Sequence, residues 1–102
     1  MRITKEAFLK QEAKHFPKAI SSILAWISVA RKADWKSFGE LRKDFPSADM
    51  VTVASKNKVI IFNICGNTYR LITAIHFNAR HIYTLRFFTH AEYDKNNWKN
   101  EL

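Results

Sequence analysis

Residues 59–76 read VIIFNICGNTYRLITAIH, two apolar, β-branched runs on either side of Gly66-Asn67. A Gly-Asn pair between such runs signals a hairpin, because both residue types tolerate positive φ. A loop of Gly66 and Asn67 alone pairs Cys65 with Thr68, Asn63 with Arg70 and Ile61 with Ile72, and sets Phe62 against Leu71 as a core pair. Tyr69, Leu71, Thr73, Ile75 and Phe77 then alternate on one face, and Arg70, Ile72, Ala74 and His76 on the other.

Downstream, Asn78-Ala79-Arg80 reads as a three-residue turn into a further strand that ends near Phe88. This loop puts His81, Tyr83, Leu85 and Phe87 on the apolar face, and Ile82, Thr84, Arg86 and Phe88 on the face of Arg70. A one-residue slip would exchange the two sets. In this register Arg70 faces Phe88 and Arg86 faces Ile72, so the two arginines are diagonal neighbours about 7–8 Å apart. His90 follows with the same parity, just past the strand end. Two forked, permanently charged guanidiniums and an imidazole on one face make a seat for a phosphate.

Working outward, the chain supplies helices and then more sheet. Thr4 is positioned to cap a first helix that runs to about His15, with Glu6 in its first turn. Pro17 suits the first position of a second helix, in which Ile20, Ile23, Leu24 and Ile27 repeat at helical spacing as a buried stripe. Trp26 lies off that stripe and is read as core. Asp34 is the expected cap of a short third helix with Trp35, Phe38, Leu41 and Phe45 inside; Pro46 ends it. A strand over Met50–Ala54 leads through Ser55-Lys56-Asn57-Lys58 into the hairpin, and residues from His90 onward form a tail in which Trp98 can pack back on the sheet. The expectation is a single α+β domain over residues 1–102, with two to three N-terminal helices packed on a small antiparallel sheet.

Seventeen Lys and Arg against nine Asp and Glu give a net charge of +8, a balance that suits an anionic partner such as nucleic acid. Cys65 is the sole cysteine, so no intrachain disulfide forms, and a reducing, cytoplasmic setting is expected. The N-terminus does not read as a secretory leader, and the most apolar helical run, Ala19–Ala30, falls short of the ~20 residues that span a bilayer. With glycine only at Gly39 and Gly66 there is no phosphate-binding glycine loop. Cys65 lacks a Cys or His at ligand spacing, and His90-x-Glu92 lacks the cysteine pair of a zinc deaminase, so no metal site or cofactor is expected.

The segment FNICGNTYRLI at 62–72, followed by THAEYD at 89–94, closely resembles the HigB-type toxins of the RelE superfamily of bacterial toxin–antitoxin systems. The resemblance covers nearly the whole chain and includes the turn FPSAD at 45–49. It implies a RelE-like fold and a metal-independent endoribonuclease, an mRNA interferase that cuts message in the ribosomal A site and inhibits translation. It also implies a HigA-like helix-turn-helix antitoxin as partner.

On that resemblance Arg70 matches the superfamily's sheet arginine and clamps phosphate; an exposed strand arginine paired with Glu92 or Asp94 is the plain alternative. His90 is the expected general acid or base, since an imidazole titrates near neutral pH. Tyr93 either stacks on a base or takes part in proton transfer, and simple packing explains it as well. Glu92 and Asp94 would orient His90 or pair with the arginines. Lys56 and Lys58 resemble backbone-binding lysines of related toxins, although a solvated turn also accounts for them, and Arg86 supports phosphate binding. A non-catalytic RNA- or ribosome-binding module, or a subunit whose basic face only docks an acidic antitoxin, are the competing functions.

Overall fold

A computed structural model describes all 102 residues. The strands are β1 (Arg2–Thr4), β2 (Asp49–Thr52), β3 (Lys58–Ile64), β4 (Tyr69–His76) and β5 (His81–Thr89); the helices are α1 (Glu6–Ala13), α2 (Ile20–Lys32), α3 (Phe38–Asp44), α4 (His90–Asp94) and α5 (Trp98–Glu101). The five strands form one sheet in the order β1-β5-β4-β3-β2. The architecture is α+β, as expected, but the sheet is mixed: β1 joins the edge of β5 in parallel. Thr4 belongs to that strand and caps nothing; Lys5, at φ 67°, turns the chain into α1.

The hairpin at Gly66 has the expected register, with Ile61 opposite Ile72, Phe62 opposite Leu71 and Asn63 opposite Arg70. Its turn differs in detail. Positive φ falls on Cys65 and Gly66 rather than on Gly66 and Asn67, and the Thr68 amide donates to the Cys65 carbonyl at 3.3 Å.

Between β4 and β5 the expected pairing holds only at one end. Arg70 faces Phe88 and Ile72 faces Arg86, but beyond an irregularity at Ile72/Thr73 the partners become Thr73 with Thr84 and His76 with His81. A bulge puts two residues of one strand against one of its partner, so Leu85 is the extra residue and the loop lengthens to Phe77–Arg80. The bulge also exchanges the faces of the first half of β5. Ile82 and Thr84 are buried with Phe87, while Tyr83 is exposed.

One sheet face carries the main core, in which Ile60, Phe62, Tyr69, Leu71, Ile82 and Phe87 pack against Leu9, Ile23, Trp26 and Leu41 from the three N-terminal helices. The buried stripe of α2 is Ile23, Trp26, Ile27 and Ala30; Ile20 and Leu24 stay exposed. Trp26 is core and meets Phe62 edge-on at 5.3 Å. The helix is thus rotated from its expected setting, because the indole of Trp26 fills the space under the sheet. Trp35, Phe38, Leu41 and Phe45 do form the inner side of α3, but Ser37 caps it, accepting from the Glu40 amide, and Asp34 pairs with Arg80 and Lys36.

The other face carries a smaller cluster of Val53, Val59, Ile61, Ile72 and Trp98. Trp98 is 2% exposed, so the C-terminal tail folds back on the sheet. Burying an indole contributes several kcal/mol at roughly 25 cal/mol per Å², and the Ala54 amide adds a hydrogen bond to the Lys99 carbonyl at 2.9 Å. No helix is long and apolar enough to cross a membrane.

Candidate active site

The Cys65–Thr68 turn fixes the site. Arg70 lies beside it on the face opposite the main core, and its side chain folds back over it. One terminal nitrogen donates to the Asn67 carbonyl at 2.9 Å and to the Tyr69 carbonyl at 3.1 Å, and the other to Asn67 Oδ1 at 3.5 Å. Arg70 is only 8% exposed, yet no carboxylate pairs with it. Three of the five N–H groups of its guanidinium are engaged, which leaves two for a ligand. The same turn receives the start of α4, since the His90 amide donates to the Thr68 carbonyl at 3.0 Å. Thr89 caps that helix by accepting from the Glu92 amide at 3.2 Å.

Tyr93 closes the site from above. Its ring lies 5.6 Å from the Arg70 guanidinium carbon and stacks on Trp98 with centroids 5.2 Å apart. The Trp98 indole N–H donates to the Tyr93 carbonyl at 3.0 Å, tying α5 to α4. Burial raises the Tyr93 phenol above its ordinary pKa; Asp49 pushes the same way, Arg70 pulls against them, and Asp94 adds the least push upward. A phenol so placed stays protonated at neutral pH. It can donate a proton but is no base.

His90 Nε2 lies 3.2 Å from Asp94 Oδ2, one helical turn on. With Asp94 accepting from Nε2, Nδ1 is left as the acceptor nitrogen that a base requires. Of the two carboxylates expected to orient His90, Asp94 does so, while Glu92 pairs with Lys95. Neither pairs with Arg70, which removes the plain alternative for that arginine.

Arg86 shares the sheet face of Arg70 in the expected diagonal. Its guanidinium, however, donates to the Leu85 carbonyl at 2.7 Å and meets Glu101 at 3.5 Å. The expected convergence of Arg70, Arg86 and His90 is therefore not reproduced as a set: α5 lays the Glu101 carboxylate on Arg86, the His90 imidazole pairs with Asp94, and it is Tyr93 whose ring meets Arg70. Lys56 and Lys58 are also elsewhere. Lys58 begins β3 and Asn63, opposite Arg70, lies five residues on, so roughly 16 Å of strand separates them at about 3.3 Å per residue.

Three unforeseen residues stand near Arg70. A cavity of about 350 Å³ is lined by Arg42, Ser47, Asp49, Asn63, Arg70 and Tyr93, among others. Asn63 had a legible signal, since the hairpin register sets it directly across from Arg70. Asp49 stands in the FPSAD turn, but nothing local showed that β2 would bring it beside β3. Arg42, from α3, is held over the turn by donating to the Pro46 carbonyl at 2.9 Å.

The turn thus carries an anchored arginine under a protonated tyrosine, and a carboxylate-paired histidine at the start of α4, the group types that anion binding and proton transfer require. Residues 19–96 match a family described as HigB toxin, the RelE-like toxic component of a toxin–antitoxin system. The chain belongs to the HigB toxin family. Among its relatives, the mRNA interferase toxin HigB of Escherichia coli K12 is 29% identical over 94 residues, 92% of this chain and 88% of that protein. The mRNA interferase HigB of Shigella flexneri has the same identity and coverage. That of Escherichia coli O6:H1 is 27% identical over 95 residues, 93% of this chain and 90% of its own length. As a HigB-family toxin, the chain spans nearly the full length of these relatives, and the matched region contains Arg70, His90 and Tyr93.

Proposed function

We propose that this chain is a type II toxin that cuts messenger RNA as a metal-independent endoribonuclease, on message held in the ribosomal A site of the bacterial cytoplasm, and that a HigA-like helix-turn-helix antitoxin restrains it. The observation that carries the reading is Arg70, buried and anchored on the turn that also receives His90, with two donors to spare.

Cleavage begins when His90 Nδ1 takes the proton of a ribose 2′-OH. The 2′ oxygen attacks the adjacent phosphorus, and the two free Arg70 N–H groups meet the charge that develops on the phosphate oxygens. Fixed donors of this kind are worth roughly 10²–10³ in rate. Tyr93 gives its proton to the departing 5′ oxygen, which leaves as a hydroxyl. The upstream fragment ends in a 2′,3′-cyclic phosphate. Asp94 steadies the imidazolium formed at His90. Lys56, Lys58 and Arg86 then serve RNA binding away from the reacting phosphate.

The end groups test this chemistry. Fragments from a translating reaction with added protein should accept phosphate from polynucleotide kinase without prior phosphatase treatment, because their 5′ ends are hydroxyls. Fragments that need the phosphatase first would rule out attack by the 2′-OH.

A further inference from the structure

The largest cavity lies away from Arg70, on the same sheet face but at the other end. It measures about 470 Å³, has Val59, Ala74 and Leu85 in its floor and Asn57, Lys58 and His76 at its rim. His76 ends β4 six residues beyond Arg70, so the two are roughly 20 Å apart at about 3.3 Å per residue. Trp98 covers Ile72, which lies between them on that face.

Beside the rim, on β5, stand two more aromatic rings, Tyr83 exposed and His81 half-buried. The bulge at Leu85 turns Tyr83 and His81 out of the core. Their rings stack in parallel, with centroids 4.3 Å apart and 4° between planes, and His76 meets Tyr83 edge-on at 5.4 Å. The Thr4 hydroxyl hydrogen-bonds His81 Nε2 and holds that ring in place. Tyr83 remains 37% exposed, a large aromatic left without a cover. Lys56 stands on the adjoining turn at φ 69°, and no carboxylate pairs with Lys56 or Lys58.

An apolar recess with free cations at its rim and a flat aromatic step beside it has the chemistry that holds single-stranded nucleic acid: stacking surfaces for the bases and cations for the backbone. We propose that this cavity takes an unpaired base of the substrate RNA, with Lys58 on the neighbouring phosphate and the Tyr83–His81 step under the next base. The proposal rests on the RNA-cleaving function above and extends it, adding a second foothold for the strand some 20 Å from the reacting phosphate. It explains why Lys56 and Lys58 lie so far from Arg70. They belong to this foothold and not to the cleavage centre.

The test measures binding by fluorescence anisotropy with labelled 2′-O-methyl oligonucleotides, which lack the attacking hydroxyl. A trinucleotide reaches only one of the two places, whereas a 12-mer spans both. The 12-mer should bind the wild-type protein more tightly than the trinucleotide. Tyr83→Ala should weaken the 12-mer by roughly 5- to 150-fold, the range for losing one base–aromatic stack, and His76→Ala, which removes a side chain lining the cavity, should weaken it as well. Tyr83→Phe, which keeps the ring, should restore 12-mer binding, and unchanged thermal melts certify the fold. Equal affinity of the two oligonucleotides for wild type overturns the proposal, as does undiminished 12-mer binding by both alanine variants. Cleavage is read separately in the translating reaction. Length-dependent binding through Tyr83 without any cleavage would refute the nuclease and leave the foothold standing; cleavage with no such binding would do the reverse.

Discussion

Replacing Tyr93 with Phe removes one oxygen from the site and little else. The ring keeps its stack on Trp98 and its seat over Arg70. Folded stability should therefore change by less than about 1 kcal/mol, a typical hydrogen-bond contribution. Proton transfer by a positioned side chain is worth roughly 10²–10⁴ in rate, and single-turnover cleavage by Tyr93→Phe should fall by that factor. Tyr93→Ala separates the two roles. It loses the aromatic pair, about 0.5–1.5 kcal/mol, and the cation–π contact, about 0.5–1 kcal/mol, so its melt should fall by several degrees as well. The pH dependence follows from burial, which raises the phenol's pKa. The proton donor is present throughout the neutral range and is lost only at alkaline pH. The stability link has the same sign: the unfolded phenol deprotonates first, near its ordinary ~10, so this contribution is complete below that pH and declines as pH rises through the folded value. Wild-type cleavage by a well-folded Tyr93→Phe would refute proton donation by Tyr93.

Trp98→Ala should cost about 3–5 kcal/mol, as for other buried aromatics, and should also lower cleavage because Tyr93 loses the ring it stacks on; a thermal melt and the cleavage assay read the two effects. The two glycines should respond in opposite directions. Gly66→Ala at φ 66° should destabilise by roughly 1–2 kcal/mol through backbone conformation alone, since its Cβ would meet nothing within 4 Å. Gly39→Ala, inside α3 with only Ser37 Oγ at 3.7 Å, should raise the melting temperature by virtue of about 0.5–1 kcal/mol. Arg86→Ala should leave cleavage within about ten-fold of wild type, because Glu101 already engages that charge, whereas a donor on the reacting phosphate is worth roughly 10²–10³.

The hairpin around Gly66 was legible because a short turn and two-sided alternation leave only one register that puts Phe62 and Leu71 together. The β4–β5 pairing was legible from Arg70 to Ile72 and not beyond. A three-residue loop and a four-residue loop with a bulge both keep a strand after the turn, and the second buries Ile82 and lets Thr84 donate to the Thr4 and Lys5 carbonyls. The strand β1 was invisible for a similar reason: three residues carry no period, and their partner lies some eighty positions away. In α2 the spacing of Ile20, Ile23, Leu24 and Ile27 marked the helix correctly but misplaced its buried face, which the larger Trp26 decides. Arg70, His90 and Tyr93 stood out through the motifs they sit in. Asp49 and Arg42 reach the cavity that Arg70 and Tyr93 line from elements whose placement depends on tertiary packing.

The most direct test is primer extension on message in a translating system, with wild type and Arg70→Ala compared side by side. Wild type should produce new 5′ ends at in-frame positions, only when ribosomes are present, and Arg70→Ala should produce none while its melt stays close to wild type. Identical new ends from a folded Arg70→Ala would contradict the site; no new ends from wild type, with RNA still bound, would contradict the nuclease.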